Sequence, residues 1–171
     1  VLLARARNHI RDDAPPGQIG HHDLAHAEIN ALLQVTRKIM NPHTSILYTA
    51  VEPCPLCMGA IYMAGIRNIR YLARDTFAGA TDMLGKTWYL SRKKINVQGP
   101  LPQLEDFLVT LLTTHHLEMG YTLDDYADLY ARWRSSSPAA VQKGIQLFEN
   151  GRLKTAVQTG KTVAEVIDLL A

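Results

Sequence analysis

Ser45-Ile46-Leu47-Tyr48-Thr49-Ala50-Val51 runs directly into Glu52-Pro53-Cys54-Pro55-Leu56-Cys57. The first seven residues are nearly all β-formers on both faces, the pattern of a strand covered on both sides. Glu52-Pro53 turns the chain, with proline fixing the geometry of the turn. Cys54 to Ala64 then reads as a helix closed by Gly65. Upstream, a helix capped by Asp23 carries Leu24, Glu28, Ala31 and Val35 on one stripe until Asn41-Pro42 stops it. Downstream, Asn68 to Ala73 is the next strand, Thr76 to Gly85 a loop and Ile95 to Gln98 a short strand. Pro102 to Leu117 is a helix with Leu104, Phe107, Leu108, Leu111 and Leu112 at helical spacing. At the other end, Val1 to Ala6 reads as a strand or strand end, and Asp12 to Gly20 as a loop. Helices alternating with strands predict an α/β sandwich.

The last fifty residues read as helices only. Thr122 caps one that carries Tyr126, Leu129, Tyr130 and Trp133; Ser137-Pro138 opens another that Asn150-Gly151 closes. Thr162 and Glu165 have the spacing of a capping box. The expected organisation is a site-bearing domain over 1–119 and a helical C-terminal extension over 120–171. At 171 residues, 47% hydrophobic and 20% charged, the chain has the composition of a globular protein rather than a disordered one. Lys+Arg of 18 against Asp+Glu of 16 is too even to argue for nucleic acid from charge alone. No apolar run approaches the roughly 18 residues of a membrane span.

The two cysteines of the chain are Cys54 and Cys57. At i and i+3 on one helix they share a face, so both sulfurs can reach one ion. They also lie at a helix N-terminus, where the dipole is expected to favour thiolate. They cannot staple distant parts of a fold, and reduced thiols point to the cytoplasm. With His26 as a third ligand they make a site that leaves one position of a zinc ion for water, the catalytic arrangement. Glu28, two residues after His26, is placed to take a proton from that water and return it to a substrate. Two other readings stand beside this one: a redox pair at Cys54 and Cys57, and a non-catalytic zinc-binding module.

Ala25-His26-Ala27-Glu28-Ile29-Asn30-Ala31 and Glu52-Pro53-Cys54-Pro55-Leu56-Cys57-Met58-Gly59-Ala60-Ile61 resemble the zinc-dependent nucleobase and nucleoside deaminases, in the branch of tRNA adenosine deaminases and guanine deaminases. Arg70-Tyr71-Leu72-Ala73-Arg74-Asp75, with Gly79-Ala80, continues the likeness over residues 1–117. The resemblance implies a three-layer α/β/α cytidine deaminase-like sandwich with a mixed central sheet. It also implies a helix and a strand ahead of Val1 that this chain is expected to lack. It implies zinc as cofactor, hydrolytic deamination by a zinc-bound hydroxide with release of ammonia, and a small purine-type base or nucleoside as substrate. The wobble adenosine of a tRNA is the alternative substrate. Asn8 aligns with a residue that bonds the base or ribose, and a homodimer is the implied assembly.

The remaining histidines are expected outside the site: His21 and His22 in loop or pocket positions, and His43, His115 and His116 facing solvent. Trp88, Tyr89 and Phe77 are aromatic candidates for stacking on a base, though core packing is the commoner use of such residues. Arg67, Arg70, Arg74 and Arg92-Lys93-Lys94 read as solvated charges.

Overall fold

The computed structural model describes residues 1–170; Ala171, the last residue of the expected extension, lies outside them. The chain divides into two units, Val1–Pro100 and Leu101–Ala171.

The first unit alternates as its sequence predicts. Its elements are α1 (Ala27–Leu33), β1 (Ile46–Val51), α2 (Pro55–Ala64), β2 (Asn68–Ala73), α3 (Trp88–Ser91) and β3 (Asn96–Gln98), with a 3₁₀ turn at Thr81–Met83. The described strands form one parallel sheet in the order β1-β2-β3, with Ile46 opposite Asn68, Val51 opposite Ala73, and Asn68 opposite Asn96. Gly65 ends α2 in the left-handed region at φ 86° and returns its N–H to Ile61 and Tyr62, which glycine alone does without strain. Met58 and Ile61 on the buried side of α2 meet Leu47, Ile69, Ile66, Met40 and Ala80. Each such large side chain taken from water contributes about 1.5–3 kcal/mol, and together they lock the helix that carries both cysteines onto the sheet.

Several expectations differ from the structure. Val1–Ala6 forms no strand, and Val1, Leu2 and Leu3 are exposed; a strand needs a neighbour for its N–H and C=O groups, and no described strand lies beside it. The described sheet is accordingly parallel rather than mixed. β1 is covered on one side only: Leu47 is buried, whereas Tyr48 is 71% exposed. Its apolar composition says that it is a strand but not how many layers cover it. Finally, α1 begins at Ala27 with His26 as N-cap, not at Asp23. The chain before it is taken up in a turn, with the Leu24 N–H on His22 Nδ1 and the Ala25 N–H on His22 O. The helix also stops at Leu33, and Thr36 to Met40 continues as a separate turn.

The second unit contains α4 (Pro102–Glu118), α5 (Ala127–Ser136), α6 (Pro138–Glu149), α7 (Arg152–Gln158) and α8 (Val163–Leu170). α4, which sequence grouping put with the first domain, packs against α6. Contact is close because α6 offers Gly144, over which Thr110 and Thr113 of α4 lie. Thr110 donates its hydroxyl to Ala140 O (3.1 Å) and Thr114 donates to Gly144 O (3.0 Å). Val109, Tyr130, Trp133, Ala140 and Val141 form the core beside them. The Thr162–Glu165 capping box forms as read: Glu165 accepts from the Thr162 N–H at 2.8 Å and Thr162 Oγ1 accepts from the Glu165 N–H. His116 is not solvent-facing. It stacks on Tyr126 with ring centroids 4.7 Å apart, and its Nδ1 lies 3.0 Å from the Tyr130 hydroxyl.

Candidate metal centre

Two helix beginnings build the site. His26 is the N-cap of α1 and Cys54 the N-cap of α2, both with extended backbone, and neither uses its side chain to cap its own helix. Their side chains therefore remain available to one another. Cys57, one turn into α2, turns its sulfur to the same point. His26 Nδ1 lies 3.6 Å from Cys54 Sγ and 3.5 Å from Cys57 Sγ. All three donor atoms fall within 4.8 Å of one another, and among the described residues no fourth His, Cys, Asp or Glu joins them.

This spacing fits zinc. With Zn–S near 2.3 Å and Zn–N near 2.05 Å, tetrahedral angles put nitrogen and sulfur about 3.5 Å apart, as found here. The donor types fit as well, one imidazole and two sulfurs being a borderline-soft set. Burial first, then the charge of Glu28 and the neighbouring Cys54, drive the Cys57 thiol far above its ordinary value. The helix dipole expected to favour thiolate is thus outweighed at Cys57 by burial and by a carboxylate. A cation among the donors reverses that balance, since a coordinating thiol is held deprotonated.

Glu28 stands beside the donors without joining them. Its Oε2 lies 3.4 Å from Cys57 Sγ, and its Oε1 accepts the Thr49 hydroxyl at 2.8 Å. Thr49, on β1, was not singled out by sequence. Its signal is only that of a hydroxyl within an otherwise apolar strand.

The α1 side of the centre is fixed by Asn30, to which the sequence reading gave no role beyond its place in the stretch from Ala25 to Ala31. Asn30 is fully buried, and its amide makes paired bonds with the backbone of Ile19: Oδ1 accepts from the N–H at 2.7 Å and Nδ2 donates to the C=O at 3.0 Å. The loop ahead of α1 is thereby tied to the helix four residues after His26. The His9 N–H donates to Ala25 O at 2.9 Å, which anchors a second segment one residue from His26. Asn8, next to that anchor, is exposed. Its side-chain oxygen accepts from the Ile10 N–H, and none of its described hydrogen bonds reaches the cluster. His21 and His22 are exposed and also outside it; His21 Nε2 lies 3.1 Å from Asp13 Oδ1.

The structure thus brings together His26, Cys54, Cys57 and Glu28, and the comparisons with known proteins bear on the same stretch. Residues 4–73 match the family described as the cytidine and deoxycytidylate deaminase zinc-binding region. The guanine deaminase of Bacillus subtilis (strain 168) is 34% identical over 81 residues, covering 46% of this chain and 47% of that protein. The tRNA-specific adenosine deaminase of Haemophilus influenzae is 37% identical over 82 residues, 47% of each chain. The chain therefore spans about half the length of these curated relatives. A solved chain from a study of A-to-I editing by tRNA:A34 deaminases is 25% identical, with a TM-score of 0.47, over 59% of this chain and 71% of that one. The stretch similar to the deaminase zinc-binding region, residues 4–73, contains all three donors and Glu28.

Proposed function

We propose that this chain hydrolytically deaminates a nucleobase or nucleoside, replacing a ring amine by an oxo group and releasing ammonia, with a purine-type ring as substrate. One observation carries the reading: a carboxylate, Glu28, is held 3.4 Å from a donor sulfur yet lies outside the three-donor set. A structural zinc site has no use for an acid so placed and closes its fourth position with protein. When bound, zinc supplies a water acid enough to lose a proton near neutral pH. Glu28 Oε2 is the atom that receives this proton and passes it to the ring nitrogen beside the reacting carbon. The Thr49 hydroxyl holds Oε1, so the carboxylate presents Oε2 in a constant direction. His26, Cys54 and Cys57 hold the ion. Asn8 is the substrate-binding residue, on the carry-over of its motif.

The guanine deaminase likeness supports a free purine base. The tRNA-specific adenosine deaminase likeness favours a second reading, an adenosine within tRNA. The test is an ammonia-release screen of the zinc-loaded chain over guanine, adenine, cytosine, their nucleosides and a tRNA anticodon hairpin. Release from a free purine supports the first reading and release from the hairpin alone the second. Silence across the whole screen refutes both. No described helix is long and apolar enough to cross a membrane. A cytoplasmic homodimer is the expected setting: two reduced thiols are needed for the ion, and Met63, Trp88 and Tyr89 are exposed apolar groups on the first unit. Light scattering on the purified chain checks the assembly.

A further inference from the structure

The end of β2 and the loop from Asp75 to Thr81 are each bonded to the turn that delivers Cys54. The Glu52 N–H donates to Ala73 O at 2.9 Å, and the Ala80 N–H donates to Pro53 O at 3.0 Å. Between these points the Glu52 side chain reaches across. Its Oε1 accepts both the Thr81 hydroxyl and the Thr81 N–H, the latter at 3.3 Å. Gly79 sits directly over this carboxylate: a Cβ there would lie 2.6 Å from Glu52 Oε2 and 2.4 Å from Asp75 O. The loop is stiffened from its other side by Asp75, whose Oδ1 accepts from the N–H groups of Phe77 (2.9 Å) and Ala78 (2.8 Å).

Glu52 belongs neither to the three-donor set nor to the proton path. A half-buried carboxylate is an expensive group to leave without a use, and here every described bond it makes goes to Thr81. Cys54, the N-cap of α2, makes no side-chain capping bond to its own helix. Its direction depends on the backbone of the turn, and the carbonyl of Pro53 in that turn is the acceptor for Ala80.

We propose that Glu52 is a positioning residue: acting through Thr81, it clamps the loop 75–81 onto the Pro53–Cys54 turn and so fixes the direction of the Cys54 sulfur. This rests on the zinc-site reading, because the sulfur direction matters only if the donors hold an ion. Glu52 touches no substrate and moves no proton. Its effect is on how long the ion is kept and how rigid the loop is.

The test uses the full chain loaded with zinc and four variants: Glu52→Ala, Glu52→Gln, Thr81→Val and the double Glu52→Ala/Thr81→Val. Two quantities are read, neither of them activity: amide hydrogen exchange at Ala80 and the rate of zinc transfer to a chromophoric chelator. Loss of a hydrogen bond to a charged group corresponds to about tenfold. Glu52→Ala and Thr81→Val are each expected to speed both processes by that factor, with the double variant no faster than Glu52→Ala. Glu52→Gln keeps an acceptor oxygen at Oε1 and is expected within about threefold of the parent.

Three results overturn the proposal: parental zinc release and exchange in folded Glu52→Ala, multiplied effects in the double variant, or Glu52→Gln as impaired as Glu52→Ala. If Glu52→Ala does not fold, Thr81→Val decides on the same two readouts. A parent chain that binds no zinc defeats the functional reading instead. Exchange at Ala80 in the variants still decides whether the clamp exists.

Discussion

Alanine at Gly144 and alanine at Gly59 are the same substitution in the middle of two helices, and the structure requires opposite signs for them. In an exposed helix interior, Gly→Ala gains up to about 1 kcal/mol of helix propensity. At Gly59 of α2 an added Cβ meets nothing within 4 Å, so about 0.5–1 kcal/mol of stabilisation is expected there. At Gly144 of α6 the same Cβ would stand 2.6 Å from Thr113 Cβ and 2.7 Å from the backbone oxygen of Thr110. Carbon contacts settle near 3.5–4.0 Å, so α4 and α6 must separate by roughly 1 Å. Overpacking of this kind costs about 1–3 kcal/mol. The separation also stretches the Thr110–Ala140 and Thr114–Gly144 bonds between the helices, each worth about 1 kcal/mol net. Against about 1 kcal/mol of propensity gained, the balance for Gly144→Ala is a loss of about 2 kcal/mol. For a unit of this size that lowers the unfolding midpoint by about 10 °C. The assay is thermal unfolding followed by tryptophan fluorescence. Trp133 is 3% exposed and Trp88 75%, so the change in emission follows the core of the second unit. A Gly144→Ala chain as stable as the parent would refute the close helix contact.

Other perturbations separate chemistry from architecture. Glu28→Gln is expected to keep about one zinc per chain while turnover falls about 10²–10⁴-fold; atomic absorption and ammonia release measure the two, and retained turnover removes Glu28 from the proton path. Stripping the zinc with a chelator should destabilise the first unit by about 4 kcal/mol if the ion is normally present at a thousand times its dissociation constant. Denaturant curves with and without added zinc check this, and superimposable curves contradict it. Burial, followed by the charge of His115, lowers His116 from its ordinary 6.5 to about 4. The folded second unit therefore holds this ring neutral more strongly than the unfolded chain does. Its contribution is full above pH 6.5, declines as pH falls, and is lost through pH 4. Trp133 fluorescence across denaturant at pH 7 and 4.5 measures the slope, which His116→Phe should flatten.

The metal centre was legible because its signal is chemical and local. Cys54 and Cys57 at i and i+3 after a proline turn need only one turn of helix to bring their sulfurs together, and their imidazole partner was recognisable by the acid two residues on. The beginning of α1 was not legible in the same way. Asp23 is a good N-cap by type, but the turn closed by His22 Nδ1 competes for the same N–H groups and wins. β1 shows a second limit. Composition reveals a strand, but the exposure of Tyr48 depends on which chain segments lie over it, and that is nonlocal information. His116 shows a third: in α4 alone it resembles its exposed neighbour His115, and only the aromatic rings of α5 and the preceding turn distinguish the two. The clamp at Glu52 was missed for a related reason. Glu52 and Thr81 are 29 residues apart, and only the parallel pairing of β1 with β2 brings them to the same end of the sheet.

Because His26 and Cys54 are themselves the N-caps of α1 and α2, the centre is intolerant of changes in chain length in a very uneven way. One residue inserted between His26 and Glu28 would swing the carboxylate about 100° around the helix axis, away from the Cys57 sulfur. One residue inserted near Gly17, where a side chain would meet nothing within 4 Å, leaves both helix beginnings where they are. Length variation among natural versions of this domain should therefore accumulate in the loop ahead of α1 and vanish across the three positions from 26 to 28.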